Sequence, residues 1–384
     1  MAVAAVQSNV SEDCAYFSLL QIASAIAPYH LDVMIAANVP QIIFSKMAQS
    51  GCKLISLKSQ KLSMRTLSYL VCERDGPGTT IDFFDEKHDI ASVFKFVDMQ
   101  PRRAEIDAEV MHLFKELTIN YPEIVARMCA LGFIRAINKI TPRYFNTERF
   151  LYVFDDAVSI FEILSRDATY LHALSNADPY STLRIVMQRH PESTAVQNKA
   201  LYTIAALADL HPTTRCAPAP VDVVTMVLTA MTHADCSVPG FFVLVNLLHN
   251  WRNVETIVNA GGITFITSVL EENFDEKELI LVGLEAICSI TSRMKHDKVL
   301  AQRVQEEGSD LIKRLVVILQ EHDDIIVLRQ VLKVFSDFVV RSPEMPFLCH
   351  ASGPLTDIIR VRELSAKDKK MAQRIVRLLR TTSS

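Results

Sequence analysis

The residues of this chain that could do chemistry are not arranged in the spacings that catalysis requires. The sequence has no GxxxxGKS/T or GxGxxG phosphate-binding loop, no GxSxG nucleophile turn and no HExxH metal motif. Its nearest glycine-rich segment, DGPG at 75–78, lacks the Lys-Ser/Thr pair of a phosphate loop, and Pro77 has no N–H to offer a phosphate. We therefore expect a surface turn there, no enzyme activity, no cofactor and no small-molecule substrate.

Histidine and cysteine also lack the spacing of a metal site. The 11 histidines are scattered, and the 8 cysteines form no CxxC pair. His233 and Cys236 lie close together, but no second pair follows at the spacing of zinc ligands. Most cysteines stand in apolar segments, which predicts buried thiols in a reducing compartment rather than a disulfide framework. The sequence therefore predicts no metal site.

The sharpest charge feature is a run of basic residues between Arg360 and Arg380, where Glu363 and Asp368 are the only acids. Four of the basic residues follow the three- and four-residue spacing of one helix face, and they form a basic stripe. Such a stripe suits the docking of an acidic protein tail or surface, and the alternative is the polar outer face of a capping repeat. The basic stripe consists of Lys367, Lys370, Arg374 and Arg377.

The chain as a whole has no net field that would attract nucleic acid. Its 40 Lys and Arg residues and 44 Asp and Glu residues give a formal charge of −4. No stretch is long and apolar enough for a transmembrane helix, and residues 1–13 lack the basic residues of a targeting peptide. We expect protein partners, no nucleic acid, no transmembrane segment and a cytoplasmic location, with cytoskeletal association or the nucleus as alternatives.

Helices are the elements that would position these residues, because 10 glycines against 49% hydrophobic residues favour helices over hairpins. In the clearest unit, 254–293, a short helix, a Gly-Gly turn, a second helix, an acidic loop and a longer apolar helix follow one another. The long helix has a small-x-x-small-apolar pattern at 283–290, and related segments recur along the chain. Aligned on one position, the copies fall at Tyr69, Glu116, Ile163, Ala206, Asn246, Ser289, Asp337 and Leu378.

A second register comes from the turns that precede the middle helix of each unit. From Gly132 on, their intervals are about forty to fifty residues, close to the period of armadillo and HEAT arrays, and the first interval spans about two such periods. Two registers with the same period predict a repeat array, and one long compact helical domain is the alternative. The predicted turns lie at Val39-Pro40, Gly132, Asp178-Pro179, Pro218, Gly262, Gly308 and Gly353-Pro354.

The segments NAGGI at 259–263 and LVNLLHN at 244–250 resemble parts of armadillo repeats. The resemblance covers nearly the whole chain and is weakest before about residue 126, where two-helix HEAT-like units are the alternative. It implies three helices per repeat, stacked so that the third helices line a concave groove. We therefore expect an all-α, right-handed α-solenoid of about eight armadillo-type repeats. Residues 1–125 would hold less regular helical repeats, and residues 126–384 armadillo repeats that end in a basic C-terminal capping repeat.

In nuclear-import adaptors of this family, a ladder of Trp-x-x-x-Asn pairs in the groove holds an extended basic peptide. Only Phe242 with Asn246 resembles such a pair here, so the resemblance does not extend to that role. The third helices still offer a strip of aromatic, polar and charged side chains that suits peptides or folded partners, while packing of Tyr202 and Phe242 between repeats is the alternative. This third-helix strip consists of Tyr202, Phe242, Asn246, Glu285, Ser289, Lys333 and Asp337.

These observations predict a non-catalytic scaffold or adaptor. It would bind protein partners through the groove, through the basic stripe or through both, by shape and charge complementarity over a long surface. Two alternatives stay open, namely a structural component of a cytoskeletal or ciliary assembly and a transport adaptor that binds cargo in the groove.

Overall fold

The structure is a computed structural model, and nearly all of the residues that it describes lie in α-helices or short 3-10 turns. No β-strand occurs among them, so the predicted all-α class is confirmed. The described residues are 12–26, 31–50, 56–72, 90–99, 104–144, 151–210, 221–248, 250–294, 297–341, 351–361 and 364–382.

Two compact units, residues 1–190 and 191–384, divide the chain. The helices of the first unit are α1 (Glu12–Ile26), α2 (Leu31–Ala36), α3 (Val39–Ser50), α4 (Leu57–Cys72), α5 (Ala91–Met99), α6 (Ala104–Asn120), α7 (Pro122–Ala130), α8 (Phe133–Ile140), α9 (Tyr152–Ser165), α10 (Ala168–Asn176) and α11 (Pro179–Arg189). The second unit contains α12 (Thr194–Leu210), α13 (Val221–Ala230), α14 (Ser237–Leu248), α15 (Trp251–Asn259), α16 (Gly262–Glu272), α17 (Lys277–Met294), α18 (Lys298–Glu321), α19 (Ile325–Arg341), α20 (Ser352–Val361) and α21 (Ala366–Thr382).

Within each unit, the third helix of one repeat packs against the third helix of the next, and this layered order defines an α-solenoid. In the first unit the order is α1, α4, α6 and α9, and in the second it is α12, α14, α17, α19 and α21. The eight aligned sequence positions fall on α4, α6, α9, α12, α14, α17, α19 and α21, which confirms the predicted repeat register. The helix α1 is a further layer that the sequence alignment missed.

Most of the predicted turns precede a second helix as expected. Gly132 before α8 and Gly261 before α16 have φ values of 93° and 80°, which glycine adopts without a steric penalty. Asp178 has a φ of 50° and is followed by Pro179 at the first position of α11, where a missing N–H costs nothing. The helices α3 and α20 begin at Val39-Pro40 and next to Gly353-Pro354. Pro218 lies outside the described residues.

The predicted turn at Gly308 is wrong. This residue is buried inside α18, a continuous helix of 24 residues. Asp297 caps the helix by accepting hydrogen bonds from the N–H groups of Val299 and Leu300, both at 3.0 Å. The buried apolar positions then continue at helical spacing on both sides of Gly308. The first two helices of this repeat are therefore fused into one.

Close packing between the layers explains the recurring small residues. A Cβ atom at Gly283 on α17 would lie 2.9 Å from Leu270 Cδ2 on α16 and 3.5 Å from Phe241 Cε1 on α14. In the first unit, Phe94 and Phe133 both pack on Phe114, with ring centroids 5.2 and 5.1 Å apart. Each unit therefore has its own apolar core. A change of repeat type near residue 125 stays a prediction.

The cysteines are less uniformly buried than the sequence suggested. Cys236 and Cys288 are buried, whereas Cys14 on α1 and Cys72 at the end of α4 are exposed. Burial raises the pKa of the Cys129 thiol to about 11, so this thiol stays protonated at neutral pH. Apolar residues near a cysteine in the sequence do not show whether its thiol is buried, because their side chains can lie on the opposite side of the same helix.

Candidate protein-binding surface

The aromatic part of the third-helix strip is exposed. Tyr202 on α12 and Phe242 on α14 occupy the same position of consecutive repeats, and their relative exposures are 49% and 45%. The two helices pack against each other. Nearly half of each residue faces solvent, and packing of the covered part between repeats stays the alternative. The structure therefore presents two large aromatic side chains on adjacent helices of one surface.

Asn246 has a structural role beside these rings. It is half-buried, and its Nδ2 donates a hydrogen bond of 3.0 Å to the carbonyl oxygen of Ala205 on α12. The amide nitrogen that would hold a peptide in a Trp-x-x-x-Asn pair is thus used to join two repeats.

Charged side chains follow the aromatic residues at the same position of the next repeats. Glu285 on α17 and Lys333 on α19 are exposed, whereas Ser289 and Asp337 are half-buried. Ser289 Oγ donates to the carbonyl oxygen of Glu285 at 3.1 Å, within its own helix. The structure thus places all seven residues of the third-helix strip on four successive third helices. Along these helices the exposed surface changes from aromatic to charged.

The basic stripe lies on the solvent face of α21, where Lys367, Lys370, Arg374 and Arg377 are all exposed. The opposite side of the helix is fastened by Asp368, which is 2% exposed. Arg329 on α19 donates to both carboxylate oxygens of Asp368, at 3.1 to 3.2 Å. The spacing that predicted one exposed face is therefore correct, and α21 is held against α19 by Asp368, the single acidic residue of the helix.

A cavity between α20 and α21 brings together basic residues from the run 360–380 that the helical spacing of the basic stripe did not join. It is open, has a volume of about 470 Å³ and is partly lined by Arg360, Arg377 and Arg380. No described carboxylate lies within ion-pair distance of these three guanidinium groups. The other lining residues are Thr356, Ile359, Gln373 and Val376. Sequence spacing along α21 could not include Arg360 because it belongs to another helix.

A network of ion pairs joins the third helices of the first unit, and sequence reasoning missed it. Lys61 on α4 contacts Glu105 on α6 at 2.9 Å, and Arg65 contacts Glu109 on the same two helices. Farther along, Lys115 on α6 donates to Asp156 on α9 at 2.6 Å. Opposite charges about one repeat apart were the available signal, but only a known register shows which of them face each other.

The described helices include none that combines the length and the apolar character needed to cross a membrane. That finding agrees with the sequence-based expectation for the same part of the chain.

Comparisons with solved structures place the chain among helical repeat proteins. An engineered protein, Northeast Structural Genomics Consortium target OR497, shares 15% identity and a TM-score of 0.53, with 99% of this chain and 98% of that chain covered. A chain of the SYS-1/POP-1 crystal complex shares 11% identity and a TM-score of 0.63, with 96% and 73% covered. No family model and no curated protein matches the chain. The similarity at these identities concerns the helical-repeat fold.

Proposed function

We propose that this chain is a non-catalytic, armadillo-type scaffold or adaptor that binds a protein segment with apolar and acidic side chains. The observation that carries the proposal is the exposed pair of rings, Tyr202 and Phe242, on adjacent third helices. Exposed aromatic residues that lie side by side are typical anchors of protein interfaces, because they bury much area at little cost in conformational entropy. The SYS-1/POP-1 structure is, by its title, a complex of two proteins.

The size of the expected contribution is sufficient for specific binding. Covering the exposed part of one such ring removes enough apolar surface from water to contribute about 1 kcal/mol or more. Two neighbouring anchors would then contribute about 2–3 kcal/mol together, which corresponds to a tenfold to hundredfold change in affinity. Anchors of this strength act best when other contacts fix the register of the partner.

The charged residues beyond the rings would fix the position of the partner along these helices. Lys333, Arg374 and the arginines of the open cavity follow the rings along the same unit, so an acidic segment of a bound chain would lie over them. Guanidinium groups suit carboxylates because their parallel N–H groups bind both oxygens. These residues are exposed, so their contribution decreases as salt screens them. We therefore expect a partner in which an apolar segment is followed by acidic residues.

The experiment that tests the proposal is affinity capture with quantitative mass spectrometry. The variant Tyr202→Ser/Phe242→Ser removes both rings, and the matched control Val221→Ser/Val299→Ser removes two residues of α13 and α18 that are 66% and 67% exposed. We expect partners that bind the wild type to be depleted at least tenfold with the first variant and retained with the control. Equal retention by both variants, with unchanged helical content, would contradict the proposal.

The more specific alternatives from the sequence stay predictions. A cytoskeletal or ciliary component would use the basic stripe on an acidic filament surface, and a transport adaptor would release its partner. The location in the cytoplasm, on the cytoskeleton or in the nucleus is also a prediction. Identifying the proteins whose capture depends on Tyr202 and Phe242 would distinguish between these roles and between these locations.

A further inference from the structure

A cluster with the chemistry of a metal site lies in the first unit, away from the third-helix strip. It consists of Cys72 at the end of α4 together with His112 and Glu116 on α6. One thiol, one imidazole and one carboxylate atom all lie within 4.8 Å of one another. His112 and Glu116 are four residues apart, so both side chains project from one face of α6 toward the end of α4.

The distances are close to those of a tetrahedral zinc site. Zinc–ligand bonds of about 2.0–2.3 Å place neighbouring ligand atoms about 3.3–3.8 Å apart. The Nδ1 atom of His112 lies 3.9 Å from Glu116 Oε1, which is nearly this separation. The distances from the Cys72 thiol to the other two ligand atoms are at most 4.8 Å, about 1 Å more than a zinc site requires. Rotation about the side-chain bonds can supply this adjustment. The helices themselves need not move.

A buried carboxylate beside the imidazole is the second, independent observation. Asp156 on α9 is 3% exposed, and its Oδ2 accepts no hydrogen bond from the described residues. This oxygen lies 3.8 Å from His112 Nδ1, while Oδ1 accepts from Lys115 at 2.6 Å. Glu116 Oε1 approaches the same ring nitrogen at 3.9 Å, so the unpaired oxygen of Asp156 points toward the place that a cation would occupy. Asp156 is therefore placed to add negative charge beside a bound cation.

Glu116 is also oriented by its neighbours. Asn120 Nδ2 donates to Glu116 Oε2 at 3.3 Å, and the Lys115 ammonium lies 4.0 Å from Oε1. Lys115 keeps its short contact with Asp156, so the carboxylate of Glu116 can turn toward a cation without breaking an ion pair at hydrogen-bond distance. The helices α4 and α6 are held in register by the Lys61–Glu105 and Arg65–Glu109 pairs. The ligands therefore start from a fixed backbone.

We propose that Cys72, His112 and Glu116 bind one Zn²⁺ ion between two consecutive repeats, with the buried carboxylate of Asp156 beside the ion. Thiolate and imidazole ligands favour zinc over magnesium or calcium, which prefer oxygen ligands. A thiolate and a carboxylate neutralise the two charges of the ion, and a water molecule completes the four-coordinate site. Because the ligands come from α4 and α6, the bound ion would join these two helices.

Cobalt substitution tests the proposal on the full chain. The protein, freed of metal with a chelator and kept reduced, is titrated with Co²⁺, which gives a thiolate-to-cobalt charge-transfer band when a cysteine binds it. We expect one Co²⁺ per chain, an absorption of tetrahedral intensity and displacement by an equimolar amount of Zn²⁺. The absence of the band in a chain that circular dichroism shows to be helical would overturn the proposal.

Variants assign the ligands. Cys72→Ser should abolish the band, whereas Cys14→Ser, which removes another exposed thiol, should leave it unchanged. His112→Ala and Glu116→Gln should weaken Co²⁺ binding at least tenfold, and Asp156→Asn should weaken it about tenfold while the band persists. A band that survives Cys72→Ser, or that disappears with Cys14→Ser, would overturn the assignment.

Alkylation of the wild type gives a readout that needs no variant. Zn²⁺ should slow the reaction of iodoacetamide with Cys72 at least tenfold and leave the reaction of Cys14 unchanged, as measured by mass spectrometry. Equal rates at Cys72 with and without Zn²⁺ would also count against the site.

Discussion

The attachment of α21 depends on Asp368. Its carboxylate accepts hydrogen bonds from Arg329 and from Ser365 Oγ, the latter at 2.6 Å, while its own N–H donates to Ser365 Oγ at 3.2 Å. Ser365 thus caps the first turn of α21, and its hydroxyl is also bound to the carboxylate of Asp368. The hydrogen bonds from Arg329 and Ser365 lower the pKa of Asp368. The charged form is therefore the one that stabilises the fold.

We expect Asp368→Asn to lower the free energy of unfolding by about 1 kcal/mol at neutral pH, because the hydrogen bond from Ser365 Oγ and the pair with Arg329 are both weakened. The folded pKa lies below the unfolded value of about 3.9, so this stability is present above that value and is lost as pH falls through the folded pKa. Urea unfolding of the wild type and the variant between neutral and acid pH measures the effect. The two curves should converge in acid.

Asp310→Asn is the matched control, because its contact with Lys313 joins two side chains that are 79% and 59% exposed. Exposed pairs contribute little, so we expect almost no change in stability. If Asp310→Asn lowers the free energy of unfolding as much as Asp368→Asn does, the cause is the loss of a negative charge from the chain and not the weaker attachment of α21.

Asp107 shows the opposite behaviour in the first unit. It is 2% exposed and accepts a hydrogen bond of 2.7 Å from Arg143. Burial raises its pKa even though Arg143 opposes the shift. The raised pKa favours the neutral form of Asp107. The contribution of Asp107 to the free energy of unfolding is therefore complete below the pKa that this residue has in the unfolded chain. It is lost as pH rises through the folded pKa.

We expect Arg143→Met to lower the free energy of unfolding by about 3 kcal/mol at neutral pH, because it leaves a buried carboxylate without its cation. The loss should decrease as pH falls, since protonation removes the unpaired charge. Adding Asp107→Asn should recover most of the stability, as thermal and urea unfolding of both variants can show. A double variant as unstable as Arg143→Met would mean that the arginine acts through packing instead.

At the scale of the elements, positive φ values determine where the second helices begin. A Cβ atom at Gly261 would meet no heavy atom within 4 Å, so the cost of Gly261→Ala is backbone strain alone. We expect a loss of about 1 kcal/mol in the free energy of unfolding. Gly353→Ala is the control, because Gly353 has equal space and no positive φ; it should be neutral or slightly stabilising. Equal effects in urea unfolding would contradict this view of the turn.

The sequence predicted the repeat order because apolar spacing and turns share one period, but it could not distinguish a turn glycine from a packing glycine. Gly262 and Gly308 occupy equivalent sequence positions, yet one begins α16 and the other is buried within α18. The strong cap at Asp297 and the continuous apolar face of α18 decide the difference. Local composition gives the spacing of helices, while the continuity of a helix depends on the packing of its neighbours.

The candidate sites also differ in how far the sequence alone predicts them. Residues that lie on one helix, such as the basic stripe, follow from spacing alone. The grouping of Arg360 with Arg377 and that of Cys72 with His112 join residues from two helices, so they require the packing of α20 on α21 and of α4 on α6. The sequence predicted that Tyr202 and Phe242 share a position, but it could not predict how much of each ring is exposed.

At the scale of the whole molecule, each contact described above lies within one of the two compact units. Repeat proteins are stabilised mainly by contacts between neighbouring repeats, so a local defect is expected to spread over adjacent helices only. The Arg143–Asp107 pair belongs to the unit 1–190, and the Arg329–Asp368 pair belongs to the unit 191–384. The two substitutions above therefore act on separate sets of layers.

Hydrogen exchange of the full chain tests this locality. Arg143→Met should speed the exchange of amides in α6, α8 and α9 at least tenfold and leave α19 and α21 unchanged, whereas Asp368→Asn should have the reverse pattern, because exchange follows the free energy of local opening. Mass spectrometry of peptides from both variants measures the two patterns in one experiment. Faster exchange along all helices with either variant would show one cooperative unit instead. The scaffold would then transmit a defect, or a bound ligand, over its full length.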